Sequence, residues 1–600
     1  MLASTPSAAA LARVLLVCVV GLPALVVTIP ANARATDPSV ASCATTTLEE
    51  PVRLAEALDD GVPAATVREQ SDVSRAELTH LAADRSSWLD ECGQVFVVDR
   101  AAPEVQLTTT NPVSEPMPAD VFSLSSRPAS SRTIYLDFDG ATYSGTRWNG
   151  GAEVVSPAYS ADADPTTFTD IERAQIFLAW QVVAEDFAPF DINVTTTPPT
   201  ASALSRTSSA DTTYGMPVVI TPTNSVGAGC GCGGQAYVGV FDVVGTTEYQ
   251  PAWVYTNGSG VDGYNMGQVI SHEVGHTLGL SHDGTSQSSY YAGARGWAPI
   301  MGSSYNRRAS QWSSGEYPAA NNLQDDVAII ARTAPVLTDD HANGVAGATW
   351  ISPVTTMAGT ITSRTDTDAF SFVAGGATTL VVAGPSGFSD VDVQVTVLDG
   401  SGATVATVNP TADTASDASL DATWTVDLPA TGATFTAVVD GTGFGNAADA
   451  GRYSDFGSLG TYTVSLATYV QVPTEEPTQT STDTPTAANT PTATATPAAT
   501  VAPTTTSGTT STPQAAPIAF VTTGLPRARA GARYRATIRF TGPVEEALVD
   551  WRLPKGLSWR VKGDTILIRG TVRRPTVRRF TCELTGDGTS VRHRFRIVVR

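Results

Sequence analysis

The sequence has few histidines, few cysteines and a shortage of basic residues for its length. Its 600 residues include 6 histidines, 6 cysteines and 36 Lys and Arg against 58 Asp and Glu, which gives a formal charge of −22. A strongly acidic surface repels phosphates, so nucleic acid is not expected as a partner. After Ile29 no apolar run is long enough to cross a bilayer, and we expect no membrane span in the mature chain. The length favours several domains.

The N-terminus carries a long apolar run. Arg13 is followed by apolar residues from Val14 to Ile29 and then by small residues around positions 31–35. This layout is typical of a secretory signal peptide, which we assign to residues 1–33. A membrane anchor is the alternative, but the run is shorter than the roughly 20 apolar residues of a spanning helix, and Pro23 interrupts it. We therefore expect a secreted, extracellular protein, with cell-wall association as a further option.

Export would leave five cysteines, an odd number, in an oxidising environment, so one thiol is expected to stay free. Cys43 and Cys92 lie in the same small segment and are expected to pair, with a Cys92 thiolate on a metal as the alternative. Cys230 and Cys232 are expected to close a tight loop disulfide. Partners elsewhere or a second metal site are the alternatives for this second pair.

Composition and periodicity divide the chain into segments. Residues 34–131 are polar, which indicates a propeptide or an N-terminal accessory region. Residues 132–339 alternate strand-like and helix-like runs, as in a sheet covered by helices, and residues 340–472 predict an antiparallel β-sandwich. A Thr- and Pro-rich linker, 473–517, precedes a second small β-sandwich, 518–600. The predicted fold class is a multidomain chain with an α+β catalytic domain followed by two all-β sandwiches.

The first long helix is predicted after Thr169, a favourable N-cap residue. Ile171, Ala174, Leu178 and Val182 follow at helical spacing, so we expect them to form one buried stripe.

The C-terminal segment differs from the rest of the chain in charge. From Ala516 onward eighteen Lys and Arg stand against six Asp and Glu, so this segment carries +12 and the remainder −34. The excess of cations makes an anionic cell-wall polymer a candidate partner for residues 518–600. A basic but inert sandwich is the alternative.

The segment HEVGHTLGLSHD, residues 272–283, contains the pattern that indicates chemistry. His272 and His276 are four residues apart on a helix predicted from about Asn265 to Leu278, so both imidazoles can face one ion. Gly279 can end the helix with a positive φ and turn the chain so that His282 supplies a third nitrogen. Three protein ligands leave one position of a tetrahedral zinc open for water, which is typical of a catalytic site.

The alternative is that these are ordinary core or surface histidines, as we expect for His80, His341 and His593. Three of six histidines within eleven residues, with Glu273 between two of them, argue against it. Zinc lowers the pKa of a bound water and polarises a carbonyl, so Glu273 is the expected general base. The pattern therefore predicts peptide-bond hydrolysis of a protein or peptide substrate.

This segment resembles the extended zinc signature of the metzincin metallopeptidases, and Asp283 after the third histidine is similar to the adamalysin or reprolysin branch. The resemblance covers roughly residues 132–335 and implies a methionine turn beneath the metal, matched by Met301 in APIMGSSY. It also implies that AYVGVF is the edge strand over the cleft, where a substrate backbone could pair. Tyr305 does not occupy the position of the methionine-turn tyrosine found in some branches, so it is not assigned as a ligand.

The flanking segments carry weaker resemblances. Residues 345–469 resemble a bacterial prepeptidase C-terminal domain, and the basic C-terminal segment is similar to immunoglobulin-like domains of bacterial surface proteins. Asp325 and Asp326 could serve a calcium ion, but acidic residues at a helix N-terminus explain this pair more simply.

A secreted zinc metalloendopeptidase made as a zymogen is the leading prediction. The rivals are an inactive surface-binding or adhesion protein, against which the intact Glu273 argues, and a hydrolase of cell-wall peptides.

Overall fold

The structure is a computed structural model, and the residues that it describes are 48–102, 117–162, 164–294, 296–353, 355–409, 420–469, 519–522, 524–542, 546–549, 557–562, 565–586 and 589–600. The predicted signal peptide, Cys43 and the predicted linker 473–517 lie outside these residues. The chain divides into two compact units, Met1–Thr478 and Gln479–Arg600.

The N-terminal segment, residues 48–102, folds around a small apolar core of its own. Its elements are β1 (Val52–Arg53), α1 (Leu54–Asp59), α2 (Ala64–Gln70), α3 (Arg75–Ala83), β2 (Ser87–Leu89) and β3 (Val95–Arg100). Ser74 caps α3, because its hydroxyl accepts from the amide of Glu77 and the Glu77 carboxylate accepts from the amide of Ser74. The three strands form an antiparallel ladder in the order β1-β2-β3, so β3 is the last strand of this ladder.

The central region, residues 117–339, contributes the larger part of an eight-stranded sheet. Its elements are β4 (Arg132–Asp137), β5 (Ala141–Tyr143), β6 (Val154–Ser156), α4 (Asp170–Asp186), β7 (Asn193–Thr195), β8 (Tyr214–Thr221), β9 (Cys232–Tyr237), β10 (Ala252–Tyr255), α5 (Thr256–Ser259), α6 (Gly263–Thr277), β11 (Trp297–Pro299), β12 (Ala309–Gln311) and α7 (Asp326–Thr333).

The strand order of this sheet joins the two segments. The order is β1-β2-β3-β9-β10-β8-β4-β7, with β9 antiparallel to both of its neighbours and β10, β8, β4 and β7 parallel to one another. The predicted edge strand AYVGVF is therefore shifted toward the N-terminus in the structure, where it ends at Tyr237. The prediction of an edge strand is wrong, because β3 of the N-terminal segment pairs with the side of β9 that faces away from β10.

Helix α4 begins where the sequence predicts and packs differently from the prediction. Thr169 forms a capping box with Glu172, whose carboxylate accepts from the Thr169 amide at 2.8 Å. The predicted buried stripe is wrong at Ile171, which is 60% exposed in the first turn of the helix, and Ala174 is only half-buried. Leu178 and Val182 are buried, and they pack in a cluster that includes Tyr264 of α6.

Residues 340–469 form a mainly antiparallel seven-stranded sheet with a separate apolar core. Its strands are β13 (Thr349–Trp350), β14 (Thr356–Ile361), β15 (Thr367–Ala383), β16 (Val393–Asp399), β17 (Thr404–Val408), β18 (Ala422–Gly441) and β19 (Gly460–Tyr469). We call these residues the β-region.

The β-region packs against the central region through buried polar contacts. Thr461 donates to the Glu185 carboxylate of α4 through its amide at 2.9 Å and through its hydroxyl at 2.5 Å. Gln311 donates its side-chain amide to the backbone carbonyl of Asp390, and the rings of Trp297 and Tyr453 stack with centroids 5.5 Å apart. Burial raises the pKa of Glu185 to about 8.

The second unit is all β within its described residues. Its strands are β20 (Ala519–Phe520), β21 (Arg533–Thr541), β22 (Glu546–Val549), β23 (Leu557–Lys562), β24 (Thr565–Thr571), β25 (Thr576–Gly586) and β26 (Thr589–Val599). They form two sheets, β20-β21-β24-β23 and β22-β25-β26, around one apolar cluster. Cys582 is buried in this cluster and is the free thiol among the described cysteines.

The described residues contain few helices and many sheets, which are distributed over several parts of the chain. This composition is compatible with the predicted multidomain fold class, in which an α+β domain precedes all-β domains. None of the helices in the described part of the chain is long and apolar enough to cross a membrane.

Candidate metal centre

Helix α6 presents the first two histidines of the motif to a common point. Asp262 caps the helix by accepting from the amide of Asn265 at 3.2 Å, and every residue from Gly263 to Thr277 is buried. His272 and His276 are one helical turn apart, and their ring centroids lie 4.9 Å from each other. A helix packed on all sides holds both rings in fixed positions.

Gly279 turns the chain at the end of this helix. Its φ is +101°, a conformation that glycine adopts without the steric cost of a side chain. The Gly279 amide donates to the carbonyl of His276 at 2.9 Å, and the chain then reverses toward the helix. His282 arrives with its ring centroid 4.7 Å from that of His276 and 5.1 Å from that of His272.

Each histidine ring is oriented by a partner of its Nδ1 atom. His272 Nδ1 lies 2.7 Å from the carbonyl of Ile300, and His276 Nδ1 lies 2.8 Å from the carbonyl of Leu280. His282 Nδ1 lies 2.5 Å from the carboxylate of Asp84. These contacts leave all three Nε2 atoms facing the same point, which is the arrangement that a metal ion needs.

Asp99 of the N-terminal segment completes the cluster. One carboxylate oxygen lies 3.0 Å from His272 Nε2 and 3.5 Å from His276 Nε2, and the other lies 2.9 Å from His282 Nε2. These four residues are all buried, and their donor atoms lie within 4.8 Å of one another. Sequence reasoning missed Asp99, which is far from the motif in the chain and lies within an ordinary apolar strand, β3.

The donor set fits zinc. His272 Nε2 and one oxygen of Asp99 are buried and make no hydrogen bond of good geometry with the described residues, so both are free to bind an ion. Burial lowers the pKa of His276 to about 4, whereas the carboxylates of Asp99 and Asp84 outweigh burial at His282 and raise its pKa to about 10. Three imidazoles are a common protein ligand set of catalytic zinc.

Glu273 lies on α6 next to the first ligand and is fully buried. Both of its carboxylate oxygens lack a hydrogen-bond partner among the described residues. Burial, with the nearby Asp99 carboxylate, raises the pKa of Glu273 well above its usual range. The carboxylate lies against Gly234 of β9, where a Cβ atom would overlap it. A glycine at this position gives Glu273 its space.

Met301 packs against Gly275 of helix α6. It is fully buried, and a Cβ atom on Gly275 would lie only 2.5 Å from its sulfur. The Met301 carbonyl accepts from the amide of Asp283 at 2.8 Å, which ties this turn to the end of the motif. Asp283 itself accepts from the Asn322 side chain at 3.3 Å and binds no imidazole of the cluster.

Tyr290 is the tyrosine that contacts the centre. Its hydroxyl donates to Asp99 at 2.8 Å, and its ring centroid is 4.2 Å from that of His282. Tyr305 lines the same cavity, of about 440 Å³, together with Asp99, His272 and Tyr290. The sequence offered no signal for Tyr290, which lies in the loop between the third histidine and Met301.

The structure also places the other cysteines and acidic residues named from the sequence. Cys230 and Cys232 form a disulfide, as predicted, immediately before and within β9. Cys92 is disulfide-bonded, so it is not a free thiolate; its expected partner, Cys43, lies outside the described residues. Asp325 caps α7 by accepting from the amide of Ala328 at 2.8 Å.

Residues 184–313 match the family model Reprolysin_5, metallo-peptidase family M12. The match covers less than a quarter of the chain, and it includes the histidine motif, Glu273 and Met301. It supports a metallopeptidase, for which zinc is the expected metal and a peptide the expected substrate. No curated protein matches the chain.

Similar solved structures include an endo-fucoidan hydrolase of glycoside hydrolase family 107, at 17% identity and a TM-score of 0.12. The match covers 13% of this chain and only 15% of that protein's length. The pre-peptidase C-terminal domain of collagenase from Bacillus anthracis matches at 16% identity and a TM-score of 0.14, covering 20% of this chain and 93% of that domain. Titin domain M7 matches at 13% identity and a TM-score of 0.13, and the match covers 15% of this chain and 99% of that domain. Similarities this low carry no argument about the chain.

Proposed function

We propose that the chain is a secreted, zinc-dependent endopeptidase of the metzincin type. His272, His276 and His282 would hold the zinc, and Glu273 would act as the general base. The observation that carries the proposal is the convergence of three buried Nε2 atoms beside a buried glutamate that makes no hydrogen bond among the described residues. The family match over residues 184–313 points to the same chemistry.

Zinc, when bound, supplies a Lewis acid that lowers the pKa of a water and polarises the scissile carbonyl. Glu273 takes the proton of the attacking water on a carboxylate oxygen and then delivers it to the departing amine nitrogen. Gly234 leaves room for this carboxylate beside strand β9.

The substrate would bind as an extended strand along β9. This strand is antiparallel to β10 on one side, and its other side, which β3 occupies in the structure, would offer backbone amides and carbonyls to a substrate strand in place of β3. Main-chain pairing of this kind places the peptide beside the helix that carries His272 and Glu273. Side-chain selectivity would then come from the cavity lined by Tyr290 and Tyr305.

Removal of the metal tests the proposal. We expect the secreted, mature protein to hydrolyse casein, and a zinc chelator to abolish the hydrolysis. A calcium-selective chelator is the control, and added zinc should restore activity after the chelator is removed. Equal rates with and without bound zinc, measured by metal analysis of the same samples, would contradict a zinc peptidase.

We further propose that the basic C-terminal segment holds the enzyme to an anionic cell-wall polymer. Strand β21 alternates buried and exposed residues, and its exposed positions include Arg533, Arg535 and Arg539. In the register of the ladder, Arg535 lies opposite Arg569 of β24, which is also exposed. One face of this small sheet therefore carries four arginines, a surface that attracts polyanions.

Charge reversal on this face is expected to release the protein from purified bacterial cell wall. The full chain should be retained at about 0.1 M salt and released near 1 M, as the Debye length falls from about 10 Å to about 3 Å. Arg535→Glu with Arg539→Glu should lower retention at low salt, whereas reversal of the exposed Arg68 and Arg75 should not. Retention that is indifferent to salt would show that charge does not drive the binding.

A further inference from the structure

We propose that the cavity beside the histidine cluster takes a carboxamide side chain of the substrate, glutamine in preference to asparagine, and that Gln268 selects it. The selected side chain belongs to the residue that follows the cleaved bond. This inference rests on the proposed function and deepens it, since it names the substrate class of the same site.

Gln268 is a buried amide without a hydrogen-bond partner in the described part of the chain. The residue is 2% exposed, and neither its Oε1 nor its Nε2 atom is bonded to another described residue. Asn265, the other carboxamide residue of helix α6, is bonded, because its Oδ1 atom accepts from the amide of Asn306 at 3.1 Å. Buried polar groups normally have partners, so the free amide of Gln268 points to a partner from outside the chain.

This amide belongs to the wall of the cavity that adjoins the metal centre. Gln268 and His272 are four residues apart on α6, so they share a face of the helix and lie about 6 Å apart along its axis. Both line the cavity of about 440 Å³, a size typical of ligand pockets. Because Gln268 is almost fully buried, its amide lies at the inner wall rather than at the mouth. The longer side chain of glutamine therefore suits it better than that of asparagine.

The chemistry of the cavity wall favours a neutral polar side chain. Apart from His272, a proposed zinc ligand, the residues that the central region contributes to the lining are uncharged. Asp99 and Arg100, the charged residues of the lining, belong to β3, whose place the substrate takes. A charged substrate side chain would be buried there without a counter-ion, which is costly.

An aliphatic side chain would fill the cavity and leave Gln268 without a partner. A carboxamide carries both a donor and an acceptor, so it can bond Oε1 and Nε2 of Gln268 at the same time. A substrate that satisfies a buried polar group is strongly favoured over one that leaves the group unpaired.

The direction of strand pairing determines which substrate residue enters the cavity. Strand β3 runs antiparallel to β9, with Asp99 opposite Gly234 and beside the histidines. The residues that follow it, 100–102, line the cavity. A substrate strand that pairs with β9 in the same direction therefore carries the residue after its cleaved bond toward Gln268.

The first test maps cleavage sites. The mature protein and its Gln268→Leu variant digest the same library of unstructured peptides, and mass spectrometry identifies the residue after each cleaved bond. For the unaltered protein we expect kcat/KM to be about 10–100-fold higher with glutamine there than with leucine or glutamate, the effect of two hydrogen bonds. The variant should prefer leucine. Gln287→Leu is the matched control, because Gln287 is exposed, and its cleavage profile should be unchanged.

The second test measures binding without cleavage. Alanine heptapeptides with glutamine, asparagine, leucine or glutamate at the centre are titrated into the mature Glu273→Gln protein, with and without Gln268→Leu. We expect the glutamine peptide to bind most tightly, followed by asparagine, and the added Gln268→Leu change to remove this preference. Gln268→Glu, which keeps an acceptor and loses the donor, should instead favour a lysine peptide.

Thermal unfolding separates this role from a merely structural one. Replacing an unpaired buried amide with an apolar side chain of similar size should leave Tm unchanged or raise it. A lower Tm of the Gln268→Leu variant with an unchanged cleavage profile would overturn the proposal.

The binding data also separate this inference from the proposed function. Equal binding of the glutamine and leucine peptides by the Glu273→Gln protein would overturn the role of Gln268, whatever the activity of the unaltered enzyme. A preference for glutamine that depends on Gln268, without hydrolysis by any zinc-loaded form, would support the carboxamide site and contradict the peptidase instead.

Discussion

Replacing Glu273 with glutamine is expected to reduce peptide hydrolysis by about 10²–10⁴-fold while zinc stays bound, since a positioned general base contributes a factor of that size. Glutamine matches the shape of glutamate and fits the space beside Gly234, so the fold should be unaffected. It cannot take a proton from water. Because Glu273 is not one of the four residues that converge as ligands, the metal should remain.

The measurement combines metal analysis with a peptide-cleavage assay on one sample of processed protein. Glu153→Gln is the matched control, as Glu153 is an exposed residue of the central region. Near-normal turnover by the Glu273 variant would remove this residue from the mechanism. Loss of zinc together with activity would instead assign Glu273 to the ligands.

Replacing His282 with alanine is expected to lower zinc occupancy as well as activity. His282 supplies one of three imidazoles, and loss of a ligand should cost more than the 10–100-fold in affinity that outer partners cost. The same result is expected for His272→Ala and His276→Ala. His341→Ala is the control, because His341 contacts Thr349 and Ala358 of the β-region and not the cluster.

Asp99 complicates this experiment, since a carboxylate ligand could retain zinc after one imidazole is lost. The His282 variant should therefore also be prepared with Asp99→Asn. Equilibrium dialysis of both proteins against zinc gives their affinities. Full zinc content in the double variant would mean that the third ligand lies elsewhere.

The sequence was informative where chemistry depends on neighbours in the chain. The spacing of His272 and His276 follows from the helical repeat, and the turn at Gly279 follows from its freedom at positive φ. The start of α4 at Thr169 could be read from its capping signal, because the partner Glu172 is three residues away. These features require no knowledge of the tertiary fold.

The contacts that surround the metal ligands could not be predicted in this way. Asp84, Asp99 and Tyr290 reach the histidines through the register of β3 on β9 and through a loop without regular structure. Ile171 failed for a related reason, since helical periodicity assigns a face to a residue but does not say where along the helix the neighbouring core begins. In both cases tertiary packing decided the outcome.

The contact between Glu185 and Thr461 has a practical consequence for expressing the enzyme. A gene fragment that stops at residue 339 would encode all three histidines and Glu273, yet it would remove the two hydrogen bonds to the Glu185 carboxylate and the ring that covers Trp297. The fragment would expose a surface around Trp297 and Glu185 that the β-region buries in the intact protein. Because exposed apolar patches promote association, the fragment is expected to aggregate. The smallest fragment suited to purification therefore ends after β19, at Tyr469.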